Sequence, residues 1–307
     1  MLQVVTIIIT LTVLVILVLF LKRTRYGLEM RAAADNFTMA RMLGVRANGV
    51  ILLAFAISGM LAAAIGLILA TNSGTADIGM GANVMLIAFI ATVIGGLGSI
   101  IGAFVAAVLV SELNAFGILI FPKISIILVF LVMAVVLIVR PWGLFGKPEA
   151  PARRTPGLTV NPWRPLTTNE RLAAIAVLIV AAALPFVAGN YVLTVGSEIA
   201  IFVIFAVSLH FLMSVGGLAS FGHAAYFGLG AYGVALLAKM AGLPMIACLL
   251  LGPLLGLMGA AVFGFFAVQL SGVYFAMLTL AFAQIVWSIA FQWVSVTGGD
   301  NGILGVW

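Results

Sequence analysis

Few side chains in this sequence could take part in chemistry. The 307 residues hold two histidines, His210 and His223, one cysteine, Cys248, and eight carboxylates. Cys248 has no partner for a disulfide within the chain and cannot by itself build a thiolate metal site. The histidines and acids are scattered singly, so no pair of carboxylates is spaced for general acid–base work and no metal cluster is legible. No G-x-x-x-x-G-K-[ST] phosphate loop is present, so the chain itself is not expected to bind ATP. The sequence therefore reads as non-enzymatic, with no catalytic residue, no metal and no cofactor.

Two segments nevertheless gather polar atoms in apolar surroundings. The first is "RAAADNFTMARMLGV", Arg31 to Val45. Asp35 and Asn36 carry side-chain oxygens that accept the orphan amides of a helix starting at Phe37. Gly44 suits the left-handed residue that ends such a helix. The expected product is two short helices with a capped break. On residues alone it is either a docking platform or an amphipathic element in the lipid interface, with Phe37, Met39 and Met42 dipped in. The second segment is "GGLASFGHAAYFGLGAYG", Gly216 to Gly233. Gly222, Ala225, Gly228, Gly230 and Gly233 allow helices to approach closely. Ser220, His223, Tyr226 and Tyr232 place polar groups beside them. His223 is either a buried structural histidine or a residue of a translocation path, since ionisable groups are costly in hydrocarbon.

The elements that must position these segments are membrane spans. The chain is 65% hydrophobic and 7% charged, with a mean hydropathy of +1.34. A soluble domain is about 45–50% apolar and about 25% charged. Apolar runs of membrane-spanning length recur along the whole chain, which predicts an all-α, polytopic transmembrane bundle of about ten crossings. The first run, Leu2 to Leu21, is followed by Lys22, Arg23 and Arg25, which places the N-terminus outside and the next loop in the cytoplasm. Twelve of the 14 basic residues fall in two windows, Lys22 to Arg46 and Arg140 to Arg171. Both are expected to be cytoplasmic, so the net charge of +6 reflects orientation, not nucleic acid.

An even number of crossings must join the two windows. The runs between them are Gly49–Ala70, Val84–Phe116 and Ile124–Val139, so the long middle run is expected to cross twice. Its break is "GGLGS", where Gly95, Gly96 and Gly98 suit a tight turn or a re-entrant half-helix at membrane depth. The second window carries six of the chain's ten prolines and reads as a semi-rigid linker between two membrane units. Five apolar segments come after it: Leu172–Ala188, Ile199–Ser214, a glycine-rich stretch near Phe221–Leu237, Met245–Val268 and Val273–Trp293. Glu112, Lys123, Glu198 and Lys239 are expected near span ends, where long side chains reach the interface. Asp77 and Asp300 fall in outer loops.

"RAAADNFTMARMLGV" resembles the cytoplasmic coupling loop of ABC-importer permeases, in the version found in permeases for branched-chain amino acids. Arg31, Ala32, Ala34, Asp35, Ala40, Gly44 and Val45 occupy matching positions, although Arg31 stands where an acidic residue usually opens the general motif. "GGLGSIIGAFVAA" and "RPWGLFG" are similar to later segments of that same subunit. "GGLASFGHAAYFGLGAYG", "SGVYFAMLTLAFAQIV" and "TGGDNG" resemble the partner permease. The resemblance implies a type II ABC-importer-like fold. It also implies two fused permease pieces, truncated at both ends: 1–146 with a coupling loop at 22–48, a linker at 147–171, and 172–307. Arg31, Ala34, Asp35, Asn36, Ala40 and Gly44 are then the residues that meet the ATPase. Gly95, Gly96, Gly98, Ser220, His223, Tyr226, Gly228 and Tyr232 are then path or helix-packing residues.

The implied setting is the bacterial inner membrane. The implied partners are cytoplasmic ATP-binding subunits, a periplasmic solute-binding protein, and a partner permease or second copy. A urea or amide permease has similar subunits and stays open. A secondary transporter is the alternative of another class; it would place charges or broken helices at the membrane midplane, and no midplane carboxylate is evident here.

Overall fold

A computed structural model describes residues 2–120, 122, 124–146 and 167–306, and every regular element among them is helical. The order is α1 (Leu2–Arg23), α2 (Arg25–Asp35), α3 (Phe37–Met42), α4 (Ala47–Ser73), α5 (Met80–Gly95), α6 (Ile100–Ile120) and α7 (Ser125–Val139). After the linker come α8 (Thr168–Val187), α9 (Asn190–Ser214), α10 (His223–Ala241), α11 (Met245–Ala267), α12 (Gly272–Gln292) and α13 (Val294–Thr297), closed by a 3-10 turn at Gly299–Asn301. Among the described residues, eight helices are long and apolar enough to cross a membrane: α1, α4, α6 and α8 to α12. α5 and α7 are apolar but shorter. The long run from Val84 to Phe116 does divide at its glycines, since α5 ends at Gly95 and α6 begins at Ile100.

The apolar stretches of α1, α4, α8 and α9 are almost wholly unburied by protein. Leu52, Phe55 and Phe202 are among the large side chains left exposed. In water such surfaces would drive aggregation. In hydrocarbon they need no protein cover, so these helices match a lipid solvent. Glu112 and Glu198 depart from the expectation of span-end carboxylates. They lie inside α6 and α9: α6 runs on past Phe116 to Ile120, and α9 begins at Asn190, ahead of the apolar stretch that marks it in the sequence. Lys239 does fall in the last turn of α10, and Lys123 lies outside the described residues.

The chain divides into two compact units, Met1–Phe89 and Ile90–Trp307. In the first, α2 folds back beside α1 and, with α3, lies against α4. In the second, α12 is the central helix, packed by α7, α10 and α11. Met133 and Leu137 of α7 and Leu278 of α12 are fully buried. The boundary expected at the proline-rich linker falls on residues 147–171, of which 147–166 lie outside the described residues. Where the chain resumes, Thr167 and Glu170 cap α8 reciprocally: the Thr167 amide donates to Glu170 Oε2 at 2.8 Å, and the Glu170 amide to Thr167 Oγ1 at 3.4 Å. This capping box fixes the start of the helix.

Candidate functional site

In the first unit, the segment 22–48 is a knuckle defined by its caps. Thr24 Oγ1 accepts from the Gly27 amide at 3.1 Å and starts α2. Gly27 lies so close to Leu21 that a side chain there would strike the α1 backbone. Asn36 Oδ1 accepts from the Met39 amide at 3.0 Å and starts α3. The cap is therefore Asn36; Asp35 closes the helix before it. Gly44 has φ +89°. Its amide donates to Arg41 O and the Val45 amide donates to Ala40 O, both at 3.0 Å. These paired bonds across a left-handed glycine form a Schellman end. Ala40 is buried, whereas Arg31, Ala34, Asp35, Asn36 and Gly44 are exposed. Met42 and Leu43 stand out from the end of α3 at 77% and 83% exposure. The structure thus brings the six expected coupling residues onto one short, internally capped element with an apolar tip.

In the second unit, the glycine break after α5 meets the segment Arg140–Gly146. The Leu144 amide donates to Ile94 O at 2.8 Å and the Phe145 amide to Gly95 O at 3.1 Å. The end of α5 is thereby satisfied by a neighbouring stretch of backbone, which a helix end inside a membrane protein requires. A side chain on Gly95 would meet Gly102, and one on Gly96 would meet Gly146 and Trp142. Gly98 has a left-handed φ of +85° but open space around it. Gly95 and Gly96 are therefore points of backbone contact.

The turn that opens α10 docks on α12. The Phe221 amide donates to Thr279 Oγ1 at 3.1 Å, and Thr279 Oγ1 donates to Ala276 O at 2.8 Å. Gly222 presses its Cα against the Thr279 carbonyl, leaving no room for a Cβ. Nothing in the sequence points to Thr279 except that it is a lone hydroxyl in an apolar run. Thr279→Val should remove the partner of the Phe221 amide, at a cost of about 0.5–1.5 kcal/mol for a half-buried bond. Thermal unfolding of the purified chain should show a fall for Thr279→Val and little change for Thr279→Ser.

His223 and Tyr226 face away from that contact. His223 Nε2 lies 2.8 Å from Ser208 Oγ on α9, and Ser208 Oγ also donates to Phe205 O at 2.7 Å. The His223 ring packs on Phe205 and Tyr226, and Tyr226 on Phe263 of α11. Ser220 is buried just before the turn. His210 is on an exposed side of α9.

The opposite face of α10 forms one wall of a groove of about 660 Å³, with α12 as the other. Gly228 and Tyr232 line it, as do Gln284, Trp287, Thr297 and Asp300, which sequence reasoning did not single out as site residues. The two walls run in the same direction: Phe221 meets Thr279 at one end, and at the other Lys239 Nζ donates to Leu304 O at 3.2 Å. The span between those contacts is roughly 27 Å at 1.5 Å per residue, close to a hydrocarbon thickness. Trp287 and Phe291 stack within the groove, ring centroids 5.2 Å apart. α13 and the 3-10 turn close the Lys239 end. There Thr297 Oγ1 donates to Ala290 O and Trp293 O at 2.5 and 2.8 Å, and Gly298, Gly299 and Gly302 take left-handed conformations. The eight residues expected as path or packing positions therefore separate. Gly228 and Tyr232 face the groove, Ser220 sits beside its inner end, His223 and Tyr226 lie behind it, and Gly95, Gly96 and Gly98 belong to the α5–α6 break.

The chain is similar in sequence to known proteins. A family model described as branched-chain amino acid transport system / permease component matches residues 1–139 and 191–305. The chain is 35% identical over 148 residues to the high-affinity branched-chain amino acid transport system permease protein BraD of Pseudomonas aeruginosa, covering 48% of each. It is 32% identical over 143 residues to the corresponding protein LivH of Escherichia coli, covering 46% of each. To LivM of Escherichia coli it is 34% identical over 140 residues, 45% of this chain and 32% of LivM. The chain thus spans about half the length of BraD and LivH. No solved structure matches.

Proposed function

The chain belongs to the family of branched-chain amino acid transport permease components, and from that premise we propose that it is a multi-pass inner-membrane permease of an ATP-driven importer for branched-chain, hydrophobic amino acids. ATP is bound and hydrolysed by separate cytoplasmic subunits that dock on the segment 22–48. A periplasmic solute-binding protein delivers the substrate, and a partner permease or second copy completes the path. The matched stretches 1–139 and 191–305 are separated by the region that holds the proline-rich linker, in keeping with two permease units, 1–146 and 172–307, joined at 147–171.

The observation that carries the reading is the twice-capped knuckle at Asn36 and Gly44. A coupling element must pass a closing motion of the ATPase to the spans without unwinding. Caps at both ends of α3, with α2 seated on α1 and α4, provide a body that moves as one piece. Co-purification is the test. The chain, expressed with the importer's ATP-binding subunits, should retain them through solubilisation and affinity capture; failure to retain them would remove the reading.

Orientation is testable independently. Both basic windows are cytoplasmic in this reading. On a Cys248→Ala background, an impermeant maleimide applied to intact cells should label Asn72→Cys and leave Thr155→Cys unlabelled. Labelling at residue 155 from outside would overturn the arrangement.

A further inference from the structure

The groove between α10 and α12 holds a group that an apolar path alone does not call for. Its walls are neutral except for Asp300, at the end where Lys239 meets Leu304. Asp300 makes no ion pair among the described residues. Tyr232 and Gln284 add a hydroxyl and an amide with hydrogen-bonding capacity unused among the described residues. Thr297 offers no free proton, since its hydroxyl is donated to Ala290 and Trp293. The rest of the wall is apolar and aromatic, with Trp287 and Phe291 stacked and Trp287 still half exposed.

We propose that this groove binds the zwitterion of an apolar α-amino acid, with its ammonium on the Asp300 carboxylate, its carboxylate toward the Tyr232 hydroxyl and Gln284 amide, and its side chain on the Trp287–Phe291 face. The proposal rests on the permease reading and deepens it by naming the recognition residues. Charge complementarity selects the occupant. A lone carboxylate in an otherwise neutral, aromatic groove favours a cationic head on an apolar body. A lipid tail gains nothing from Asp300. An aliphatic acid without an ammonium is repelled by it. A neutral amide such as urea has no charge to pair and no side chain for the aromatic face. A transmembrane helix of another subunit would leave the carboxylate unpaired at an interface that depends on apolar contact.

The groove's own tryptophans supply the readout. Purified chain in phosphatidylcholine nanodiscs is titrated with leucine, leucinamide, 4-methylpentanoate and urea, following intrinsic fluorescence. Leucine and leucinamide should shift the emission, and 4-methylpentanoate and urea should not. Asp300→Asn, nearly isosteric on an exposed turn, should weaken leucine about tenfold or more, as loss of a charge-assisted contact does. Asp300→Glu should keep most of the affinity, and Asp77→Asn, at the other outer loop, should change nothing. Leucine bound equally by Asp300→Asn, a response to 4-methylpentanoate matching that to leucine, or no response to leucine at all would overturn the proposal. Because the ATPase co-purification does not involve the groove, retained ATPase with no leucine response refutes this site alone. A urea response in place of leucine removes the amino-acid reading as well.

Discussion

Gly44→Pro is expected to abolish co-purification of the ATP-binding subunits while leaving the chain in the membrane. Gly44 sits at φ +89°, whereas proline is confined to about −65°. The substitution also removes the amide that donates to Arg41 O, and it disturbs the Val45 to Ala40 bond beside it. α3 would lose its end and α4 would be entered at a different angle. The apolar spans on either side are untouched, so insertion should persist. Gly44→Ala should give a partial loss, because a left-handed alanine costs only about 1–2 kcal/mol. Asp35→Lys separates docking from folding. Asp35 is exposed at the end of α2, where the last turn has no basic residue. A lysine there suits the negative end of α2 but faces the positive start of α3 and lies four residues from Arg31, opposing effects of about 0.3–1 kcal/mol each that largely cancel. Loss of the ATPase with Asp35→Lys would therefore report on the contacting surface itself. Unchanged capture by both Gly44→Pro and Asp35→Lys would sink the coupling role of this segment.

Gly96→Val should be the most damaging single change among the glycines of the α5–α6 break. The residue has φ +97° and its added Cβ would overlap the backbone of Gly146 and Trp142. Neither neighbour is the flexible end of a side chain, so relief requires moving the Arg140–Gly146 segment away. That would break the Leu144 and Phe145 amide bonds to Ile94 and Gly95. Backbone strain of about 1–2 kcal/mol and overpacking of about 1–3 kcal/mol give a combined cost of about 2–5 kcal/mol. Gly98→Val is the internal control. It carries a similar left-handed φ of +85° but meets open space, so it should incur the backbone part alone. Thermal unfolding in nanodiscs should rank wild type above Gly98→Val above Gly96→Val. Equal behaviour of the two variants would mean that the Gly96–Gly146 contact does not form.

How much of this was legible in the residues depends on the range of each interaction. The capped pair α2 and α3 could be read directly because capping is local. Asn36 acts three residues away on Met39, and Gly44 ends a helix by its own backbone angle. The break at Gly95 to Ser99 was legible for the same reason. Its partner was not, because Gly96 touches Gly146 through backbone atoms that carry no side-chain signature. In "GGLASFGHAAYFGLGAYG" the polar residues drew attention as one group. The structure sends them to two faces, His223 and Tyr226 toward α9 and α11, and Tyr232 toward the groove. Thr279 and Asp300 join that region only through contacts spanning tens of residues, such as Phe221 to Thr279 across 58 positions.

The sequence by itself determined the solvent and the secondary structure of this protein. Runs of apolar residues fix where helices lie, since a span in hydrocarbon must satisfy its own backbone, and the Lys and Arg windows set an expected orientation. Which face of each helix meets protein was decided only by the tertiary structure. In water an amphipathic stripe marks the buried side of a helix, because the other side must be polar. In a membrane both sides are apolar, so α10 and α12 show no stripe that marks the groove between them. The pairing of α7 with α12, the docking of the Phe221 turn on Thr279 and the placing of Asp300 at the groove's end all rest on close backbone approach and single hydrogen bonds. Those interactions depend on distance in space, and a pattern along the chain does not contain it.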